Sequence, residues 1–265
     1  MRLFTPLRPD PRAPLAAANP AMKLGAAAAL MAVLFVSVDA LTAGIVLVGL
    51  LFAVRLSGLR ARTLAVRSWP IPVAALSVGI LNVVLAPARP GPELQVGPLA
   101  IPAEQLMAGI GLGLRLAAIA FSGVLAMATT DPTRLADSLV AQLHISPRFA
   151  VGALAAARLV PVLASEWQVL SLARRARGVS GGNPVAAVRI VFGKLLALMI
   201  GAVRRATRLA AAMEARGFGA RPCRTSARDE RVRPADWLLL AGAAALGLGA
   251  AAVSVAAGSW RFLFG

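Results

Sequence analysis

The sequence predicts an all-α, polytopic membrane protein with about five transmembrane helices and long amphipathic cytoplasmic helices. Three observations predict it. Of 265 residues, 58% are hydrophobic and only 15% charged, against about 45–50% and about 25% in a soluble domain. The charges are bunched, so that long apolar runs alternate with basic blocks, as in a chain that crosses a bilayer several times. Within the largest basic block the apolar residues recur at steps of three and four, the period of an amphipathic helix.

Residues 1–20 carry five prolines, at Pro6, Pro9, Pro11, Pro14 and Pro20, and read as a flexible cytoplasmic tail. A transmembrane region follows over 21–130. Leu24–Val38 and Ala40–Val54 meet at Asp39. At about 15 residues each they are short for a span, and suit either two short crossings or one re-entrant hairpin. Arg55, Arg60, Arg62 and Arg67 form a basic inner loop. Trp69–Ala86 is entered through Trp69-Pro70, a place for an interfacial Trp. Residues 87–102 are rich in Pro and Gly and read as an outer loop. Gln105–Thr130 is the strongest span. It holds Arg115, which should face the bundle rather than lipid, and Gly109 and Gly113, at a spacing that permits close helix packing.

Residues 131–234 are strongly basic and belong on the cytoplasmic side by the positive-inside rule. Phe149–Ala164 and Val191–Val203 are apolar but short, each with a charge (Arg158, Lys194), and suit helices lying along or under the membrane. Trp237–Ala257, within 235–265, is a final span. Five crossings from an inner tail place the C-terminus outside.

Several function classes lack support. The net charge of +17 raises nucleic-acid binding, but there is no Tyr, and no zinc-ligand spacing accompanies the basic residues. Topological bias explains the charge, and no nucleic-acid partner is expected. Cys223 and His144 are the only Cys and His, so neither a disulfide nor a cysteine-rich metal site is available. No cofactor is expected. Gly193-Lys194 is followed by Leu195, with Val188 where a phosphate loop needs Gly, so the chain does not build an ATP site. An intramembrane enzyme needs converging acids, His or Ser; Asp39 and Asn82 form no such motif.

Two helices in the basic block end alike. Leu159, Leu163, Glu166, Leu170, Ala173 and Arg177 follow one helix face, as do Leu195, Met199, Ala202, Ala206, Leu209, Met213 and Arg216. One face closes on Ala176-Arg177-Gly178 and the other on Ala215-Arg216-Gly217. A Gly just past a helix end and an Arg in its last turn are ordinary stop signals. That alone does not account for the repeat, nor for an Arg that continues the apolar seam. A guanidinium fixed at a helix tip can bind a carboxylate with two parallel hydrogen bonds, and two tips suit two equivalent sockets.

These motifs resemble the transmembrane T component of energy-coupling factor (ECF) transporters, the family that includes the membrane partners of biotin and cobalt uptake modules. The likeness starts at Asn19-Pro20-Ala21-Met22-Lys23-Leu24 and strengthens at Asp131-Pro132-Thr133-Arg134-Leu135. It is greatest across Arg158-Leu159-Val160-Pro161, Glu166-Trp167, Ala173-Arg174-Arg175-Ala176-Arg177-Gly178 and Ala212-Met213-Glu214-Ala215-Arg216-Gly217-Phe218. The resemblance implies a multi-pass protein of a bacterial or archaeal cytoplasmic membrane, without catalysis of its own, in an importer of vitamins or transition-metal ions. Its implied partners are two ABC-type ATPase subunits, docked on Arg177 and Arg216, and a separate substrate-binding membrane protein, the S component. Ala176, Gly178, Ala215 and Gly217 would set the tip geometry. Asp131, Pro132, Arg158, Pro161, Glu166, Arg174, Arg175 and Glu214 would support it. The alternative is a membrane scaffold whose basic segment binds anionic lipid; it predicts that the arginines act alike, where the resemblance singles out two.

Overall fold

A computed structural model of the chain describes residues 10, 13–37, 39–85, 93–96, 99–179, 183–218, 230–258 and 260. Ten α-helices and one two-stranded hairpin occur among them. Prolines open most of the helices: α1 (Pro14–Ala17), α2 (Pro20–Val36), α5 (Pro70–Leu85), α7 (Pro132–Leu143), α8 (Pro147–Ala176), α9 (Pro184–Ala215) and α10 (Pro234–Ala256). Pro at the first helical position has the right φ and gives up only an N–H that would lack an intrahelical partner. Asparagine and aspartate finish several of these starts. The Asn19 side chain accepts from Ala21 N–H at 2.9 Å, and Asn183 from Ala186 N–H at 2.7 Å.

The chain divides into two compact units, Met1–Ser138 with Glu230–Gly265, and Leu139–Asp229. In the first unit α2 packs on α10, and α6 (Ala103–Ala128) lies against α3 (Ala40–Leu56) and α5. Its core includes Leu34, Val46, Leu50, Ala118 and Leu125, all buried. Close approach of α5 and α6 depends on glycine: a Cβ on Gly109 would stand 2.4 Å from Val83 Cγ2 and 2.8 Å from the Gly79 carbonyl oxygen. Gly113 meets the Ala75 carbonyl in the same way, at 2.9 Å. The GxxxG spacing is therefore used. Arg115 faces protein, as expected, donating to the Phe35 carbonyl with its charge over the Phe35 ring.

The fold is helical with membrane-length apolar helices. Among the described residues four, α6, α8, α9 and α10, are long and apolar enough to cross a bilayer; a fifth candidate is α4 (Ala61–Ser68) joined to α5 across a 45° bend. The count agrees with the sequence reading, but its members differ. At 17 residues α2 and α3 reach about 26 Å, short of a bilayer core of about 30 Å. The apolar runs expected to lie along the membrane are the first half of α8 and the middle of α9, and both helices continue through Arg158 and Lys194.

Three local departures are visible. The expected tail is folded where it is described: Ala16 and Asn19 are buried, and Asn19 N–H donates to Asp236 at 2.8 Å. Arg62 and Arg67 sit on α4 rather than in a loop, because Leu64 is buried and draws that turn onto the core. In the expected outer loop, β1 (Glu93–Val96) pairs antiparallel with β2 (Leu99–Pro102). Cys223 and most of the basic residues after Phe218 lie outside the described residues.

Candidate functional site

The second unit is built on α8 and α9, which run antiparallel: Glu166 meets Arg205, Trp167 meets Lys194, and Arg174 meets Ile190. Several polar contacts join them. Arg205 grips the Glu166 carboxylate with two nitrogens, one at 2.9 Å. Lys194 Nζ donates to Ser171 Oγ at 3.2 Å and sits 4.2 Å from the Trp167 ring centroid, a cation–π distance. The Arg174 guanidinium donates to the Ile190 carbonyl at 2.8 Å and fills the space a Cβ on Gly193 would enter.

The α9 seam is buried only in part: Ala202 and Met213 are half-buried. Leu195, Met199 and Leu209 are exposed, while Gly193, Lys194, Leu198, Gly201 and Arg205 are half-buried or buried. On α8 the expected positions Leu159, Leu163, Glu166 and Leu170 are half-buried, but Ala173 is exposed and Arg174 turns inward. The polar contacts fix part of the facing surfaces, and Leu195 and Met199 of the α9 stripe stay exposed.

Both helices end in the same structure. Arg177 and Arg216 share φ −87° and ψ 8°, and the glycines that follow have φ of +70° and +74°. Gly178 N–H donates to the Arg175 carbonyl at 3.0 Å and Val179 N–H to Arg174 at 3.0 Å; Gly217 N–H donates to Glu214 at 2.8 Å and Phe218 N–H to Met213 at 3.0 Å. This is the Schellman pattern, which satisfies the last carbonyls of a helix. Both arginine side chains are exposed. Since the helices are antiparallel, the tips lie at opposite ends of the pair, roughly 45 Å apart along it.

The other sequence candidates fall into two groups. Glu166 and Arg174 bind α9 as described, and Asp131 caps α7, accepting from Thr133 N–H at 2.7 Å and Arg134 N–H at 3.2 Å, beside Pro132 at its first position. Arg158, Pro161, Arg175 and Glu214 are exposed. Sequence reasoning missed Arg205 and Lys194 as the partners of α8. It also missed the polar knot in the first unit, where Lys23, Arg134, Glu230 and Asp236 meet. There the bond to Glu230 raises the pKa of Arg134 above its ordinary value. Opposite charges on α8 and α9 were the available signal for Arg205, whereas Lys194 meets a hydroxyl and a ring; the knot joins residues too distant in sequence to signal one another.

A family model described as CbiQ, cobalt transport protein, matches residues 12–226. The chain is similar to energy-coupling factor transporter transmembrane protein EcfT of Thermosediminibacter oceani, at 30% identity over 227 residues, 82% of this chain and 85% of that protein. EcfT of Leuconostoc gelidum is 32% identical over 160 residues, 56% of this chain and 59% of that protein. For EcfT of Staphylococcus aureus the identity is 31% over 152 residues, 54% and 56% of the two chains. With the last two, the matched stretch spans little more than half of the relative.

Proposed function

This chain belongs to the CbiQ cobalt transport protein family, as the multi-pass transmembrane component of an energy-coupling factor transporter, and on that premise we propose that it couples two ATPase subunits to a substrate-binding membrane protein. Arg177 and Arg216 are the docking residues. ATP binding and hydrolysis change the spacing of the ATPase subunits, the two helix tips follow, and the membrane helices reorient the substrate-binding partner. The cargo is a vitamin or a transition-metal ion, recognised by that partner. The ATPase activity belongs to the partner chains.

One observation carries this reading: two helices present an arginine from the same Schellman cap, at opposite ends of an antiparallel pair. A shared backbone conformation gives each guanidinium the same launch geometry, which suits two equivalent acidic grooves in two related subunits. Gly178 and Gly217 keep the turn tight, and Ala176 and Ala215 add no bulk beside the arginine. Glu166, Arg174, Arg205 and Lys194 tie α8 to α9, so the tips move as one piece. Pro161, Arg158, Arg175 and Glu214 flank this frame.

Affinity co-purification from host membranes tests the reading. Wild type is expected to bring down two ABC-type ATPases, and Arg177→Ala/Arg216→Ala to lose them. Each single change should cost about 2–5 kcal/mol at its own socket, because the partner carboxylate is left unpaired. A double variant that retains both ATPases overturns the docking role. Equal losses from any arginine of the block would instead identify a lipid-binding scaffold.

A further inference from the structure

The chain leaves the first unit along α7 and returns to it at Glu230. The two connections are fastened to each other there. Arg134, in the first turn of α7, donates from Nε to Glu230 Oε1 at 2.7 Å and from Nη2 to Oε2 at 3.0 Å. A planar fork on both carboxylate oxygens is a geometry that lysine does not reproduce. Glu230 is 15% exposed and Arg134 34%, so the pair is partly withdrawn from the solvent screening that weakens surface pairs.

The pair is also seated on the first unit. Arg134 reaches the carbonyls of Ala16 and Ala17, each at 3.4 Å, at the end of α1. Lys23, 3% exposed, joins the Ala16 carbonyl at 3.1 Å to the Thr129 carbonyl at 2.8 Å, just past α6. Asp236, in the first turn of α10, accepts from Asn19 N–H at 2.8 Å and Arg233 N–H at 2.7 Å. The start of α2, the end of α6 and the starts of α7 and α10 therefore meet in one polar knot. Between α6 and α7 only Thr129, Thr130 and Asp131 intervene, and Asp131 is spent on capping α7.

We infer that Arg134 and Glu230 form the coupling joint of this protein, positioning residues that carry displacement of residues 139–229 into α2 and α10. The inference rests on the coupling role proposed above. Motion passes between parts of a protein along rigid elements and bonded networks. Two connections free of each other would flex separately and dissipate a displacement in local bending. Fastened together and seated on α1, they move as one body and act on the knot where α2 and α10 begin.

The test uses the complex with its two ATPases in nanodiscs, following amide hydrogen exchange by mass spectrometry with no nucleotide and with ATP plus vanadate. In wild type, nucleotide is expected to change exchange in 139–229 and in α2 and α10. In Glu230→Gln the change should persist in 139–229, and fall about fivefold or more in α2 and α10. Arg134→Lys, which keeps the charge but not the fork, should behave in the same way. A Glu230→Gln complex whose α2 and α10 respond as in wild type overturns the inference, as does a wild type whose α2 and α10 ignore nucleotide. Nucleotide-independent loss of protection in both Glu230→Gln and Arg134→Lys marks a plain structural brace and overturns it too. Failure of wild type to recruit any ATPase is a separate result, read at co-purification, and refutes the docking role itself.

Discussion

Arg205 on α9 closes on Glu166 of α8 with two guanidinium nitrogens, and both side chains are about one-third exposed. That exposure limits what the pair contributes, since water and salt screen it. A double-mutant cycle on unfolding in detergent, using Glu166→Gln and Arg205→Gln, should give a coupling energy of about 0.5–1 kcal/mol. Strictly additive losses would mean that the two side chains do not act as a pair.

Gly178 and Gly217 separate two explanations of a helix tip. A Cβ on either would meet nothing within 4 Å, so space does not require glycine. Their φ values of +70° and +74° do, because a side chain in the left-handed region costs about 1–2 kcal/mol. Gly178→Ala and Gly217→Ala should therefore weaken ATPase capture by similar factors, while Asn, which tolerates this region, should be milder. Quantitative pull-down against purified ATPase subunits reads the difference. If Ala and Asn are equally harmless, the Schellman turn does not set the arginine's direction.

The sequence makes the helix ends legible and leaves the helix partners hidden, for a physical reason in each case. Glycine after an arginine acts within one turn, so α8 and α9 stop where the two Ala-Arg-Gly triplets predict. Apolar periodicity on α9 reports a face that leaves water, without saying which surface receives it. Leu195 and Met199 satisfy the period and are exposed, while Lys194 and Arg205 face α8. Asn19 with Asp236 and Arg134 with Glu230 lie 217 and 96 residues apart, beyond any local pattern. At the candidate site, the two Ala-Arg-Gly ends were read correctly as helix stops; the identity of their backbone turns emerged only with the hydrogen bonds.

Gly109 gives a steric test of the membrane bundle. Its added Cβ would stand 2.4 Å from Val83 and 2.8 Å from the Gly79 carbonyl. The first atom can shift by side-chain rotation; the second is backbone and holds α5 and α6 at their distance. Gly109→Ala should cost about 1–3 kcal/mol as an overpacked contact. Gly44→Ala, with nothing within 4 Å, should be neutral or slightly stabilising through helix propensity. Thermal aggregation midpoints of the two variants in one detergent should separate clearly. Equal midpoints would mean that α5 and α6 do not approach each other this closely.

Asp39 looks from sequence like an isolated acid between apolar runs, and in the structure it is a structural acceptor. It is buried, caps α3 by accepting Thr42 N–H at 2.7 Å, and accepts the hydroxyls of Ser254 at 2.6 Å and of Ser37. Asp39→Ala removes the cap and leaves two buried hydroxyls without this acceptor. Asp39→Asn keeps one oxygen for the cap, and Ser254→Ala removes one donor from a carboxylate that retains others. Losing a cap costs about 0.5–2 kcal/mol, and each stranded buried polar group about 1–3 kcal/mol. The expected order of destabilisation is Asp39→Ala, then Asp39→Asn, then Ser254→Ala, measured by unfolding in detergent. ATP hydrolysis per assembled complex should stay near wild type in Ser254→Ala and Asp39→Asn, because neither side chain is part of the knot or the helix tips. A variant that keeps its stability but loses ATP hydrolysis would move Asp39 from the frame of the bundle into its working parts.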